Sequence, residues 1–259
     1  MAEGYMEFEF DLPDALLNSL IKVFDDMLGA PLVASNVLEI PEEQGVYQLL
    51  LRGQVVYVGK TDADYGLRGR LAKHAWTIQH RLNLSPSDVL FKAARIFVFT
   101  AMDLEKLLIR HYSERSAVWW NNSGFGSNDP GRNRDDTDLK PTGFDAVYPI
   151  DLDQPVDIAL EGALSVAELL AVLRAELPYT LRAQGAPDGR KSPHPDLTGT
   201  LITEMATAPG TTRQVLQLAL SRLPAGWQAT ALAGRVILYK EAREYRTGTV
   251  IGRSTRDAF

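Results

Sequence analysis

The pattern of apolar and polar residues across Gly45–His74 changes from that of two strands to that of a helix. Two strand-like runs, Val46–Leu51 and Gln54–Val58, are separated by the dipeptide Arg52-Gly53. A short break that contains a glycine between two such runs predicts a tight β-hairpin. The centre of the chain is therefore expected to contain a two-stranded antiparallel unit followed by a helix.

This hairpin and helix are expected to bring polar side chains together. Side chains alternate between the two faces of a strand, so Tyr47 and Tyr57 can lie on one face of the hairpin. Beyond a polar turn, the helix contains Arg70 and His74, which are four residues apart. That spacing places both residues on the same helix face.

The segments around this centre complete an α+β pattern. Residues 5–11 alternate as in a short edge strand, and the apolar stripe of Pro13–Leu28 predicts a helix. Residues 94–99 predict a third strand, and Asp103–Arg115 predicts another helix. From the hairpin onward the order is β-β-α-β-α, a small sheet with flanking helices.

The rest of the chain predicts a long loop and a separate module. Residues 121–148 are rich in Gly, Asn, Asp and Pro, which indicates a functional or disordered loop. We place this loop in a first domain, 1–150, and expect a small α+β module at 151–259. Its predicted elements are the helices Ser165–Leu177, Asp196–Ala206 and Thr211–Leu223 and a hairpin formed by Trp227–Leu232 and Arg235–Lys240.

The order helix, helix, helix, hairpin is that of a winged helix, although many other small α+β domains share it. In a winged helix the third helix enters the major groove of DNA. The side chains that would then contact base edges are Arg213, Gln214, Gln217 and Arg222. A dimerisation or packing module is the alternative, and no internal repeat is evident.

Composition narrows the compartment and the chemistry. The chain has no cysteine, which excludes disulfides and thiolate metal sites and fits a reducing cytoplasm. The acidic N-terminus has no signal-peptide pattern, and no apolar run approaches the ~18 residues of a membrane span. We therefore expect a cytoplasmic protein that does not enter the membrane.

Charge is distributed unevenly along the chain. The net charge is −6, but residues 1–59 hold 2 basic and 10 acidic side chains, whereas residues 60–134 hold 12 basic and 7 acidic ones. Binding of phosphate needs a local positive surface rather than a basic average. The second segment could supply such a surface, and the alternative is that its charges are spread over solvated helix faces.

Five short motifs occur in a recognisable order. They are Gly45-Val46-Tyr47, Tyr57-Val58-Gly59, the helix arginine Arg70, the helix glutamate Glu105, and an asparagine that is either Asn121 or Asn122. Over about residues 5–150 this set resembles the GIY-YIG nuclease superfamily. The chain departs from that pattern by a valine in place of isoleucine in both motifs and by a slightly short spacer. Neither change affects a group that does chemistry.

The arginine and histidine four residues apart, together with the loop Gly124–Gly131, resemble one branch of that superfamily, the type II restriction endonucleases with a GIY-YIG active site. This resemblance implies a Mg²⁺- or Mn²⁺-dependent endonuclease that cuts double-stranded DNA, with a homodimer cutting both strands of a palindrome. Two other functions stay open. One is a DNA-repair or phage-defence nuclease that acts on modified or branched DNA, and the other is a non-catalytic DNA-binding protein on the same scaffold.

The resemblance also implies roles for individual residues. Glu105 would hold the metal, since Mg²⁺ prefers oxygen and often takes one carboxylate plus water and phosphate oxygens. Tyr47 would act as a general base or orient the attacking water, and His74 would take its proton or hold it by a hydrogen bond. Lys60 is an alternative base.

The remaining predicted residues would contact phosphate. Arg70 would clamp a phosphate through its planar guanidinium, and Tyr57 would donate to the same phosphate. Asn121 would orient the leaving side or support a metal-bound water, with Asn122 nearly as good a match. The loop 121–148 would lie against DNA, with a solvated linker as the alternative. The residues predicted to bind DNA are Arg68, Arg132, Arg134 and Lys140.

Overall fold

The structure of the protein is a computed structural model. The fold contains both helices and strands, which confirms the predicted α+β class. The residues that the structure describes are 3–9, 11–61, 65–97, 104–115, 118–126, 129–157, 162–189, 192–203 and 210–255. The chain forms two compact units, one made of residues 1–75 and 86–122, and the other of residues 76–85 and 123–259.

The first unit contains four helices and four strands among its described residues. In chain order these are α1 (Leu12–Asp26), β1 (Ala30–Pro31), α2 (Ala34–Leu38), β2 (Gly45–Leu51), β3 (Gln54–Lys60), α3 (Gly66–Gln79), β4 (Val89–Arg95) and α4 (Leu104–Arg115). Helix α3 begins in this unit and ends in the second. The predicted order β-β-α-β-α is confirmed.

An antiparallel sheet organises this unit, with the strands in the order β1-β4-β2-β3. Strands β2 and β3 form the predicted hairpin. Arg52 and Gly53 at its turn have φ angles of 51° and 78°. Positive φ at both central residues is the requirement of a type I′ turn, whose twist matches that of the flanking strands.

Helices α1 and α4 pack with the sheet to form the core of the first unit. The side chain of Asp11 accepts a hydrogen bond from the Asp14 backbone N–H and begins α1, with a proline in its first turn. Apolar side chains from α1, the hairpin and α4 then form one buried cluster, which includes Leu20, Ile21, Phe24, Val46, Val58, Leu104, Leu108 and Tyr112.

Two predictions for this unit need correction. Residues 5–9 form no strand, and Tyr5, Met6 and Phe8 are exposed, so their alternation reflects no sheet face. The third strand is Val89–Arg95 rather than residues 94–99, because pairing with β2 begins at Val89 and ends at Arg95. Residues 98–103, where part of that prediction and the start of α4 were placed, lie outside the described residues.

The second unit has its own sheet and core. Its elements are α5 (Phe144–Val147), β5 (Pro155–Val156), β6 (Leu164–Ser165), α6 (Val166–Glu176), β7 (Thr180–Ala183), α7 (Pro195–Gly199), β8 (Leu201–Ile202), β9 (Gly210–Thr211), α8 (Thr212–Arg222), β10 (Gln228–Leu232), β11 (Arg235–Tyr239) and β12 (Thr249–Arg253). The main sheet has the order β12-β10-β11-β7, and β7 runs parallel to β11.

This topology differs from the winged-helix prediction. Helices α6 and α8 and the hairpin β10–β11 are where the sequence placed them. The middle helix is only Pro195–Gly199, and residues 204–206 of the predicted helix lie outside the described part. Pairing of β7 and β12 with the two sides of the hairpin extends it into a four-stranded sheet, so the hairpin is not an isolated wing.

An internal repeat, which the sequence did not reveal, builds much of the second unit. Strands β5 and β6 and helix α6 each have a counterpart at one constant offset, as the starting positions 155 and 201, 164 and 210, and 166 and 212 show. The copies exchange strands, because β5 pairs with β9 and β6 pairs with β8. Both helices begin with a capping box, at Ser165 and Thr211. The prediction of no repeat is therefore wrong.

The domain boundary lies earlier than the predicted residue 150. The loop after residue 122 belongs to the second unit because its side chains and backbone form ion pairs and hydrogen bonds with residues of that unit. Asp135 pairs with Arg182 and Arg235, and the Ile150 backbone N–H donates to Ala233 O at 2.8 Å. Among the described residues, no helix is both long enough and apolar enough to cross a membrane.

Candidate active site

All of the predicted catalytic and metal-binding residues fall within the first unit. They are Tyr47, Tyr57, Lys60, Arg70, His74, Glu105 and Asn121. They come from β2, β3, α3, α4 and a short 3-10 helix at Trp119–Asn122. The structure thus brings together side chains that are far apart in the sequence.

The hairpin places its two tyrosines on one face, as predicted. Tyr47 on β2 lies opposite Gly59 on β3, and Tyr57 is two residues before Gly59. The two phenol rings are 6.0 Å apart between centroids. Tyr47 is completely buried, whereas Tyr57 is partly exposed. Tyr57 is therefore the more accessible of the two hydroxyls.

Gly59 leaves the space that the Tyr47 ring occupies. A Cβ atom added to Gly59 would lie 2.5 Å from Tyr47 Cζ, closer than real Cβ contacts come. Because the ring sits over the backbone of the opposite strand, the second motif needs glycine at this position for a steric reason. The role of Gly59 was missed in the sequence, although the motif contains it.

We expect Gly59→Ala to displace the Tyr47 ring and to lower both stability and any activity that depends on it. The stability loss should be about 1–3 kcal/mol, typical of overpacking a core. The matched control is Gly69→Ala on helix α3, where an added Cβ meets nothing within 4 Å. Alanine is favoured over glycine in a helix, so this variant should be neutral or up to about 1 kcal/mol more stable in urea denaturation.

Helix α3 brings His74 against the hairpin. Tyr47 Oη and His74 Nε2 are 2.7 Å apart, and the His74 ring packs edge-on against Tyr57 with 5.2 Å between centroids. His74 is 6% exposed. Arg70 precedes it by one helical turn, which gives the arginine–histidine pair the shared face predicted from the spacing.

Burial controls the protonation of His74 and Tyr47. It lowers the pKa of His74 to about 3, and the charges of Arg70 and Lys73 act in the same direction. It also raises the pKa of Tyr47 well above its ordinary value, with a further increase from Tyr57 and an opposing effect from Arg70. At neutral pH the Tyr47 hydroxyl is therefore protonated and the imidazole is neutral, and the tautomer of His74 decides which of the two donates in their hydrogen bond.

The buried His74 should make the stability of the protein depend on pH. An imidazole in the unfolded chain titrates near ~6.5. Between that pH and the folded pKa of about 3, the unfolded chain binds one more proton at this residue, so the free energy of unfolding falls as the pH falls. We expect a slope of up to ~1.4 kcal/mol per pH unit below pH ~6.5 from urea midpoints. His74→Phe should reduce that slope, and an unchanged slope would contradict the assignment.

Glu105 and Lys60 form the more exposed side of the site. Glu105 lies in the first turn of α4, and its carboxylate is 3.8 Å from Nζ of Lys60 at the end of β3. Burial raises the pKa of Tyr57, the charge of Arg70 lowers it, and the charge of Glu105 raises it, so Glu105 and Arg70 both act at this hydroxyl. The site thus presents a carboxylate and a guanidinium to the same phenol.

The donor set fits a hard divalent cation. The Glu105 side chain is 26% exposed, and its carboxylate is 3.8 Å from Nζ of Lys60. Oxygen from one carboxylate, completed by water and phosphate oxygens, is a common way to bind Mg²⁺. Glu105 is the residue that would hold Mg²⁺ or Mn²⁺ here.

The structure distinguishes Asn121 from Asn122. Asn121 Oδ1 accepts from the Val58 backbone N–H at 2.9 Å, and its Nδ2 donates to Val58 O at 2.8 Å. Val58 lies between the two residues of the second motif that shape the site, Tyr57 and Gly59. Asn122 is exposed. The Asn121 carboxamide therefore holds the strand through its backbone, a positioning role that differs from the predicted role beside the leaving group or a metal-bound water.

We expect Asn121→Ala to destabilise the protein by about 1–3 kcal/mol, because two backbone groups of Val58 lose their partner. Any activity that depends on Tyr57 should also fall, since Tyr57 is held through the neighbouring peptide. Asn122→Ala is the matched control and should change neither thermal stability nor rate. Equal behaviour of the two variants would refute the positioning role.

The predicted DNA-binding residues are divided between the two units. Arg68 donates to Ile40 O at 2.7 Å and to Glu42 Oε1 at 3.2 Å, so it ties α3 to the segment before β2. Arg132, Arg134 and Lys140 belong to the second unit, where all three are exposed. Their contact with DNA stays a prediction.

Neither a scan against models of protein families nor a search of curated proteins gives a match to this chain. The function is therefore inferred from the motifs and from the geometry of the site.

Proposed function

We propose that this protein is a Mg²⁺-dependent DNA endonuclease of the GIY-YIG type, most similar to a type II restriction enzyme that cuts a specific duplex site. The observation that carries the proposal is the meeting of Tyr47, Tyr57 and His74 in one cluster, next to the charges of Arg70 and Glu105. Hydrolysis of a phosphodiester needs an oriented water, stabilisation of charge on phosphorus and a stabilised leaving oxygen. This group contains side chains suited to each task.

The protonation states favour orientation of water by Tyr47 over removal of its proton. The phenol is protonated at neutral pH because its pKa is raised, and it shares a hydrogen bond with His74 Nε2. A protonated phenol both donates and accepts hydrogen bonds, so in this proposal it orients the attacking water rather than deprotonating it. Lys60, exposed at the end of β3, remains the alternative base.

In this proposal Arg70 and Tyr57 bind the phosphate. A guanidinium donates in a planar fork that fits phosphate oxygens, and the partly exposed Tyr57 hydroxyl can donate to the same group. A cation at Glu105 would polarise the phosphate and stabilise the leaving oxygen. In the overall reaction the water oxygen bonds to phosphorus, the bond to one ester oxygen breaks, and a proton from water ends on that oxygen.

The oligomer follows from the same proposal. One site of this kind cuts one strand, so a double-strand cut at a palindrome requires two copies related by a two-fold axis. A DNA-repair or phage-defence nuclease acting on modified or branched DNA, and a binding protein without activity, are the alternatives that the first experiment separates.

The experiment is incubation of supercoiled plasmid with the protein in Mg²⁺ or in excess chelator. Discrete fragments in Mg²⁺ alone would support a site-specific nuclease, and sequencing of their ends would give the site. Nicking or a smear would favour the repair or defence function. If neither plain nor modified plasmid is cut, while the protein still binds DNA, the endonuclease proposal fails and a binding protein is left.

A further inference from the structure

A segment rich in aspartate lies against the main sheet of the second unit. We call Asp129–Asp138 the acidic strap. Its ion pairs join Asp129 and Asp135 to Arg182, Asp135 to Arg235, Asp136 to Arg243, and Asp138 to Arg246. The acids of the strap are thus matched to arginines of their own unit.

The hub of these contacts is Asp135. Its carboxylate is 2% exposed and accepts from Arg182 Nη1 at 2.7 Å, Arg235 Nε at 2.8 Å and Tyr239 Oη at 3.0 Å. Three donors satisfy a buried carboxylate, and truncating one would leave charge unpaired. The strap is thus firmly anchored at its centre.

A cavity of about 440 Å³ lies between the strap and the turn of the hairpin β10–β11. Its volume is in the range of small-ligand sites. Its wall combines apolar side chains with hydroxyl and guanidinium groups and with the carboxylate of Asp135, which Arg182 and Arg235 already neutralise. The wall includes Arg134, Asp135, Thr137, Leu139, Leu232, Arg235 and Thr247. The mixture suits a ligand with one flat apolar part and one anionic part.

The charges along the strap are balanced except at this cavity. Arg132 pairs with Glu241 at 3.2 Å and stacks on Tyr239 at 4.2 Å. Arg134 contributes its backbone oxygen to Arg235 Nη2, at 2.8 Å. Across the described ranges, no ion pair or hydrogen bond engages the Arg134 guanidinium, and the side chain is exposed. The cavity wall therefore contains a cation whose charge the strap does not compensate.

We propose that this cavity binds one nucleotide of a DNA strand, with its phosphate on Arg134 and its base against Leu139 and Leu232. A guanidinium is suited to a phosphate, and the apolar wall accepts the face of a base. The hydroxyls of Thr137 and Thr247 supply hydrogen-bonding groups for the sugar or base edge. The choice of a nucleotide rests on the proposed function, whereas the preference for an anion rests on Arg134 and the cavity alone.

The test compares Arg134 with Arg243, an arginine that pairs with Asp136 of the strap, in the whole chain. Binding of a fluorescein-labelled single strand of DNA is measured by anisotropy in chelator, where metal-dependent hydrolysis cannot proceed. Arg134→Ala should weaken binding about 3- to 10-fold and lower the slope of log K against log salt by about one. Arg243→Ala is the matched control, since Asp136 already compensates its charge, and it should change binding less than about twofold. Equal weakening by both variants, or by neither, overturns the proposal.

The ligand is tested directly with dCMP, inorganic phosphate and a Glu-rich peptide. At millimolar concentration dCMP should raise the Tm of wild type but not of Arg134→Ala, and phosphate should raise it less. Absence of a dCMP effect overturns the proposal, and a larger effect of the peptide replaces it with a peptide site. If wild type does not cut plasmid but dCMP still acts through Arg134, the nuclease function fails and the cavity assignment stands. If wild type cuts plasmid but Arg134→Ala changes neither DNA binding nor the dCMP effect, the nuclease function stands and the cavity assignment fails.

Discussion

Glu105→Gln should abolish Mg²⁺-dependent cleavage of plasmid DNA, with a loss of at least about 10³-fold in rate. The substitution keeps the size of the side chain but removes the carboxylate that would hold the cation. A bound cation stabilises the transition state by several kcal/mol, and each ~1.4 kcal/mol corresponds to a factor of ten in rate. Single-turnover cleavage over a range of Mg²⁺ concentrations measures the effect.

The control for Glu105 is on the same helix. Glu114 is exposed near the end of α4, so Glu114→Gln removes an equal charge without touching the cluster. It should cut DNA at the wild-type rate. DNA binding in chelator should be unchanged or slightly tighter for Glu105→Gln, since the variant lacks a negative charge. Retained cleavage by Glu105→Gln would remove this residue from the metal site and leave the nuclease proposal without its acid.

Tyr47→Phe should lower the cleavage rate about 10²- to 10⁴-fold, the range of general acid–base and water-orienting groups. The ring and its packing remain, but the hydroxyl that binds His74 and would hold the water is lost. Stability should fall by about 1–3 kcal/mol, because the buried His74 Nε2 loses its partner. Rates are therefore measured well below the Tm of the variant.

Tyr5→Phe is the matched control for this substitution. Tyr5 is 66% exposed and lies before α1, so removing its hydroxyl should alter neither rate nor Tm. A Tyr47→Phe protein that cuts DNA within a few-fold of wild type would show that Tyr47 only packs in the core. Lys60 would then be the next residue to replace.

Elements whose signals are local in sequence were predicted well. The hairpin β2–β3 depends on two short runs and a turn that requires positive φ, all within residues 45–60. Helix α6 begins with a capping box that joins residues three apart, Ser165 and Glu168. The shared face of Arg70 and His74 follows from helical spacing alone. Such contacts form between residues that are close in the sequence, so the residue types of a short segment are enough to predict them.

Contacts between distant residues were predicted poorly. The domain boundary was placed too late because the strap is held by ion pairs across 47 and 108 residues, such as Asp135 with Arg182 and Asp138 with Arg246. The internal repeat was missed because its two copies keep burial and capping while most of their side chains differ. Strand exchange between the copies has no local signal.

The sequence by itself determined the α+β class, the hairpin with its two tyrosines, and the set of groups available for chemistry. Only the tertiary structure decided that Asn121 rather than Asn122 holds Val58, which is 63 residues away, and that the Tyr47 ring fills the space above Gly59. It also decided the protonation of His74, since the pKa depends on how completely the fold removes water from the ring. The physical reason is common to all three. Spacing along the chain determines which nearby residues share a face of a helix or strand, whereas burial and long-range hydrogen bonds exist only after the strands and helices have packed.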